Sequence, residues 1–225
     1  MGAKFSENGI IYSVNKSGEV MVRGIVNPNQ NHVVIPSEIK GHPVLAIGPK
    51  AFYATKINSV VLPNSIVMID QSAFEECRNL KSVGQLGEHS TRAIIVNSYA
   101  FRNCRKLNLL SLKHDMLLLG TNAFAFCESI VLLPTVISVS TIYDGAFYNC
   151  KSLSSIKFAG PHKLIIDPNA FSNCNNLKKI TFDCKVELTF RLKQMIKNMS
   201  IYTRGKNSNI VDLVYDGYEI NLLEE

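Results

Sequence analysis

Apolar positions recur along this chain at a nearly constant interval. Six Ala-Phe pairs follow one another at spacings of 22, 27, 23, 23 and 24 residues. A period in this range indicates that one supersecondary unit is stacked on copies of itself, because each unit alone cannot bury its apolar face. The pairs are Ala51-Phe52, Ala73-Phe74, Ala100-Phe101, Ala123-Phe124, Ala146-Phe147 and Ala170-Phe171.

Each pair lies at the same place in a longer pattern. An aliphatic residue comes four positions before Ala, Cys or Thr four after it, Leu or Ile seven after it in all but the first unit, and apolar residues about ten after it. The spacing L-x-x-I-x-I predicts one short strand per repeat with alternate side chains inward, and the arc around Ala-Phe is expected to be irregular or a short helical turn. A small Ala beside a large Phe suits a tapered core filled by stacked layers.

This pattern resembles the leucine-rich repeats of the BspA-like class, whose unit reads roughly I-x-x-x-A-F-x-x-C-x-x-L-x-x-I-x-I-P-x-S-V. The stretch from Ile47 to Leu62 and its continuation "PNSIVMIDQSAFEECRNLKSV" match it almost position by position, and the resemblance covers roughly residues 40 to 184. It implies an α/β, strand-rich leucine-rich repeat solenoid with one short parallel strand per repeat and hairpin caps at its ends. The strands would line a curved sheet whose outward side chains are free to vary.

The expected organisation is a single solenoid domain over residues 1–225. Residues 1–43 form the N-terminal cap, in which "IIYSVNKSGEVMVRGI" is typical of a hairpin, and 44–184 hold about six repeats. Residues 185–225 form a C-terminal cap: a helix from Glu187 to Asn198, then a hairpin turning at Asp216-Gly217. This last ribbon either shields the sheet edge or binds a partner as an added strand.

Composition supports one domain. A chain of 225 residues with 46% hydrophobic content can fold without disulfide bonds or bound metals.

No apolar run approaches the ~20 residues needed to cross a bilayer, so no transmembrane segment is predicted. The N-terminus lacks the layout of a secretory signal. Either the protein stays inside the cell, as expected if Met1 is the native start, or the chain is a mature form; the family resemblance favours the cell surface or secretion.

Five of the six cysteines occupy one register of the repeat. They are expected to stack as a ladder of buried, free thiols, since Cys behaves as a small hydrophobe in cores. An incidental disulfide between neighbouring rungs, or a metal, is the alternative. The five are Cys77, Cys104, Cys127, Cys150 and Cys174.

Positive charge is concentrated near the C-terminus. The whole chain carries 24 − 18 = +6, and the window from Lys178 to Lys206 alone has eight basic and two acidic residues, 8 − 2 = +6. This window is either a solvated face or a site for polyanions. The candidate basic patch is Lys178, Lys185, Arg191, Lys193, Lys197, Arg204 and Lys206.

Catalytic chemistry is not indicated. The five histidines fall at unrelated places in the repeat, and no phosphate loop, nucleophile elbow or metal-ligand spacing occurs. We therefore expect no enzyme, cofactor or metal site.

The predicted function is binding of a protein partner through outward positions of the strands. The resemblance implies a cell-surface or secreted recognition or adhesion module; the alternative is an intracellular scaffold or a structural subunit of a larger assembly. Neither the partner nor an oligomeric state follows from the pattern. The candidate protein-binding face is Ser59, Val61, Leu109, Ser111, Ser155, Lys157, Lys179 and Thr181.

Overall fold

A computed structural model describes residues 4–86, 94–112, 116–133, 141–159, 164–167, 169–183, 186–188 and 200–203. Within these ranges the chain forms eighteen strands and no helix, so the predicted helical contribution is absent from the described part. The strands belong to three sheets, of eleven, four and three strands. We call them the first, second and third sheet.

The first sheet begins with an antiparallel meander. Strands β1 (Lys4–Glu7), β2 (Ile10–Val14) and β3 (Val20–Ile25) pair in order, and β2 with β3 lies where the sequence predicts a hairpin. β3 then pairs in parallel with β6 (His42–Ile47), and the short β5 (Glu38–Ile39) also pairs with β6. The meander therefore covers the edge at which the stack of repeats begins.

From β6 onward the first sheet adds one parallel strand per repeat. Each of them up to β15 ends at the aliphatic residue four positions before Ala, as in Ile47, Ile69 and Val96. The strands are β8 (Met68–Ile69), β10 (Ile94–Val96), β12 (Met116–Leu119), β13 (Thr141–Ile142), β15 (Leu164–Ile166) and β17 (Val186–Leu188).

The second and third sheets contain strands predicted from L-x-x-I-x-I, together with one strand at the start of the second sheet and one at the end of the third that this pattern did not predict. The second consists of β4 (His32–Val34), β7 (Ser59–Leu62), β9 (Ser82–Gln85) and β11 (Leu109–Ser111). The third consists of β14 (Ser155–Ala159), β16 (Lys179–Asp183) and β18 (Ser200–Thr203).

The repeat therefore has two strands, and the prediction of one strand per repeat is wrong. The second strand was missed because it is often only two or three residues long, as in Met68–Ile69. A segment of that length buries only one or two side chains, which is too few to show the alternation by which a strand is recognised.

The arc around each Ala-Phe pair is also hydrogen-bonded from repeat to repeat. The Phe52 N–H donates to Ala73 O at 2.8 Å, and Phe74 N–H donates to Ala100 O at 2.7 Å. Residues on either side of the pair have left-handed backbone, for example Ser72 at φ 57°. Since this conformation breaks helical geometry, the arc is a stack of turns rather than the short helical turn allowed by the sequence.

The core is a column of identical side chains. Six Phe rings, from Phe52 to Phe171, stack with centroids 5.0 to 5.6 Å apart and ring planes within 6° of parallel. The five repeat cysteines lie in the same interior as buried, free thiols, which confirms the predicted ladder. Each thiol lies within hydrogen-bond distance of a Phe carbonyl of the preceding repeat, as Cys127 Sγ does with Phe101 O at 3.1 Å.

The C-terminal end differs from the expected cap. Residues 187 and 188, where the predicted helix begins, belong to β17, which pairs in parallel with β15. β18 extends the third sheet by pairing with β16. Two more strands thus continue the repeat beyond the expected limit at residue 184. The rest of the predicted helix and the final hairpin lie outside the described residues.

Successive turns pass so close to each other at Gly120 that this position has no room for a side chain. A Cβ on Gly120 would collide with the backbone of Ser98 and come within 2.7 Å of Asn97 C, whereas a Cβ on Gly84 would meet nothing within 4 Å. We expect Gly120→Ala to lower the free energy of unfolding by about 2 kcal/mol or more, and Gly84→Ala to be neutral or to raise it by about 0.5 kcal/mol. Urea denaturation of both variants measures this; equal midpoints would contradict it.

Candidate functional site

The outward side chains of the second sheet form two rows that cross its strands. Val60, Val83 and Leu110 point into the core and are buried, so the residues flanking them point outward. Backbone pairing aligns Ser59 with Ser82 and Leu109 in one row, and Val61 with Gly84 and Ser111 in the next. Four predicted face residues, Ser59, Val61, Leu109 and Ser111, are therefore brought onto one surface.

The other four predicted residues lie on the third sheet. Ser155 pairs with Lys179, and Lys157 pairs with Thr181, while Ile156 between them is buried. Lys179 is exposed and Lys157 is half-buried. The side chain of Thr181 lies outside the described residues. Within the described ranges no strand pairs β11 with β14, so the eight residues occupy two sheets rather than one.

Between the two sheets lies a segment that the sequence analysis did not select. Leu132 forms an isolated bridge with Ser155, and its side chain is 57% exposed. Val131 beside it is 47% exposed. Three consecutive apolar residues, 131–133, stand where the repeat alternates apolar with polar positions, and this was the signal that could have identified them.

Exposed apolar side chains are concentrated on this side of the molecule. Nine large hydrophobic residues are exposed among those described, and five of them lie in or beside the strands of the second sheet and at its junction with the third. The five are Val34, Leu86, Leu109, Val131 and Leu132. We call them the apolar face residues.

At the edge of the second sheet, one polar pair accompanies the apolar face residues. His32 Nδ1 lies 2.6 Å from Ser59 Oγ, and Gln30 Nε2 donates to His32 O at 2.8 Å. The Gln30 side-chain amide therefore satisfies a backbone carbonyl on the outer side of β4, which is an edge strand of the second sheet. An edge blunted in this way is less available for pairing with another chain.

The side of the solenoid formed by the turns around the Ala-Phe pairs, which we call the turn side, carries polar side chains that bind one another. Arg102 Nη1 lies 3.0 Å from Glu75 Oε1, and Asn103 Nδ2 donates to Glu76 Oε1 at 2.6 Å. Lys151 Nζ lies 3.4 Å from Glu128 Oε2. Pairs at the surface contribute little stability, but they leave this side polar and satisfied by its own neighbours. The apolar face residues are therefore the better candidate for recognition.

Comparison with known families decides the class of the protein. The model described as BspA type leucine-rich repeat region matches in six copies, over residues 45–130 and 94–203. The chain belongs to the BspA-type leucine-rich repeat family. The matched region extends past residue 184, in agreement with the continuation of both sheets by β17 and β18.

Solved structures of leucine-rich repeat proteins support the fold. A Treponema pallidum leucine-rich repeat protein is 24% identical, with a TM-score of 0.67, and the match covers 98% of this chain and all (100%) of that one. A leucine-rich cell surface protein of Faecalibacterium prausnitzii is 22% identical with a TM-score of 0.62, covering 82% of this chain and 55% of that one. A Bacteroides ovatus leucine-rich repeat protein is 23% identical with a TM-score of 0.60, and the match covers 91% of this chain and 54% of that one. No curated protein matches.

The thiols of the BspA-type repeats are poorly suited to chemistry at neutral pH. Burial raises the pKa of Cys77 to about 11 and raises the pKa of Cys104, Cys127 and Cys150 as well. A protonated, inaccessible thiol is neither a nucleophile nor a metal ligand. Among the residues that the structure places, no three His, Cys, Asp or Glu side chains converge as metal ligands would.

The candidate basic patch falls largely beyond the described ranges. Lys178 is exposed and directly precedes the exposed Lys179, the first residue of β16. Lys185, Arg191, Lys193, Lys197, Arg204 and Lys206 lie outside the described residues. The described part of the chain contains no helix that is long and apolar enough to cross a bilayer.

Proposed function

We propose that this BspA-type protein is a non-enzymatic module that binds a protein partner through the apolar face residues and the neighbouring rows of the second sheet. The observation that carries the proposal is the exposure of Val34, Leu86 and Leu109 at 57 to 60% on one side of a rigid stack. Apolar groups gathered on a surface are stabilised when a partner removes them from water.

The partner's place in the cell separates the two forms of this proposal. We favour a cell-surface or secreted recognition role, which is in keeping with the cell-surface description of the Faecalibacterium protein of the same fold. The alternative is an intracellular scaffold or a subunit of a larger assembly that uses the same face. Mass spectrometry of the naturally produced protein, giving its true amino terminus and its compartment, distinguishes them. Polyanion binding by the basic patch stays a separate prediction.

Site-specific photo-crosslinking tests the face. A photoreactive phenylalanine analogue placed at Leu109 is expected to capture one specific protein from the source organism, whereas the same analogue at Tyr53, exposed on the turn side, is expected to capture none. Excess unlabelled wild-type protein should prevent capture, and Leu109→Lys protein should compete at least about tenfold more weakly, since a central apolar contact is replaced by a charge. Equal capture from Tyr53, or equal competition by Leu109→Lys, would contradict the proposal.

A further inference from the structure

The outer side of the first sheet carries a second apolar surface, distinct from the apolar face residues. Backbone pairing aligns one outward residue from each of five successive strands. Their neighbours Val22, Ile47, Ile69 and Leu119 are fully buried on the opposite side of the sheet. The five aligned residues, which we call the outer row, are Met21, Ala46, Met68, Ile95 and Leu118; Ala46 is buried and the other four are half-buried.

Two bulges deepen the beginning of this row into a cavity. Pairing of β3 with β6 shifts between Val20 and Met21, so that Leu45 is an extra residue on β6. Pairing of β2 with β3 shifts in the same way, and Arg23 is the extra residue there. A bulge turns an additional side chain toward one face. Both extra residues line a cavity of about 310 Å³ whose floor includes Met21, Ala46 and Met68.

The rim of the cavity has an excess of positive charge. Lys4 and Arg23 line it, and neither is in an ion pair with another described residue. Arg23 Nη1 lies 3.1 Å from Met21 Sδ, which places the guanidinium directly above the start of the outer row. Glu19 also lines the cavity, but its carboxylate accepts a bond from Asn15 Nδ2 at 2.6 Å within its own turn. The rim therefore favours an anion, and a guanidinium binds carboxylates well.

The length of the outer row and its paired backbone determine what kind of apolar group could accompany the anionic end of a ligand. Neighbouring strands are about 4.8 Å apart, so the outer row runs for about 19 Å across the sheet. Every strand backbone here is already paired within the sheet, and a peptide laid along the row would find no partners for its own N–H and C=O groups. An unbranched alkyl chain has no such groups to satisfy. A linear, apolar ligand with one anionic end matches both the row and the rim.

We propose that the cavity and the outer row bind a monomeric fatty acid, with its carboxylate at Arg23 and Lys4 and its alkyl chain along Met68, Ile95 and Leu118. The carboxylate gains charge-assisted hydrogen bonds at the rim. The alkyl chain leaves water and covers side chains that are half-buried in its absence.

Calorimetric titration of the full chain with dodecanoate below its micelle concentration tests the proposal. Saturable binding to one site is expected. Octanoate and decanoate should bind progressively more weakly, by up to about fourfold for each methylene removed. Dodecanol should bind about tenfold more weakly than dodecanoate, because it lacks the anionic end.

Single substitutions separate the two parts of the site. Arg23→Gln is expected to weaken dodecanoate about tenfold but to leave dodecanol unchanged, whereas Met68→Glu should abolish binding of both. Glu19→Gln should strengthen dodecanoate binding about twofold, since it removes a like charge. Leu109→Glu on the second sheet is the matched control and should change nothing, so the result is independent of the protein-binding test. Thermal melts verify that each variant is folded.

Several results would overturn the assignment. The first is absence of dodecanoate binding to the folded wild-type protein. The second is dodecanoate binding by Arg23→Gln and by Met68→Glu that is as tight as binding by the wild-type protein. The third is loss of dodecanoate binding in Leu109→Glu. Binding to anionic phospholipid vesicles without binding to monomeric dodecanoate would likewise reject it in favour of a membrane-surface contact.

Discussion

Phe124→Ala is expected to lower the free energy of unfolding by about 3 to 5 kcal/mol. Phe124 is fully buried, and its ring stacks on Phe101 at 5.1 Å and on Phe147 at 5.6 Å. Removing it leaves a cavity between two rings that are held by their own repeats. Since the backbone N–H of Phe124 donates to Ala146 O at 2.8 Å, the repeats cannot easily collapse into that space.

Phe126→Ala is the matched control, only two residues away on the same turn. Phe126 is half-buried, makes an edge contact with Tyr148 at 5.2 Å, and has left-handed backbone at φ 62°. We expect its loss to cost about 1 kcal/mol or less. Urea denaturation followed by circular dichroism measures both variants. A Phe124→Ala cost no greater than that of Phe126→Ala would show that the ring column does not hold the repeats together.

Stability is expected to fall steeply above pH 9. Burial raises the pKa of Cys77 to about 11, and it also raises the pKa of Cys104, Cys127 and Cys150 above their ordinary value near 9.0. Below that value the thiols are protonated in both the folded and the unfolded chain, so they add no pH dependence. Above it the unfolded thiols lose protons that the folded thiols keep, and the unfolded state is favoured by up to about 1.4 kcal/mol per pH unit for each thiol.

The urea midpoint measured from pH 7 to pH 10.5 checks this expectation. The double variant Cys104→Ser, Cys127→Ser should show about half the slope above pH 9, because serine keeps a donor for the Phe carbonyl but does not ionise in this range. Burial, with a smaller effect of Glu7, raises the pKa of Tyr12 to about 12, so the phenol acts in the same direction only at the top of the range. A constant midpoint, or a slope unchanged in the double variant, would show that thiol burial does not control the alkaline limit.

The two proposed surfaces differ in how far they could be predicted. Ser59, Val61, Leu109 and Ser111 were placed on one face because they alternate with buried residues in strands of three or four residues, and the observed pairing aligns them. Val34 and Leu132 were missed, since β4 precedes the first Ala-Phe pair and 131–133 is apolar throughout. The outer row was missed for a related reason: in stretches such as Ile94-Ile95-Val96, three apolar residues in succession do not reveal that the middle one points outward.

By itself the sequence determined the period, the column of Phe rings, the ladder of thiols and the inward register of one strand in each repeat. It could do so because stacking places the same position of every unit in the same surroundings. The same buried residue type is therefore required at that position in each of the six copies. Only the tertiary structure decided the second strand of the repeat, the separation of the predicted face into two sheets, and the bulges at Arg23 and Leu45 that open the cavity. These features depend on which backbone groups pair across repeats. The aliphatic residue four positions before Ala recurs in every repeat, but a single recurring apolar position does not reveal that the residues beside it form a paired strand.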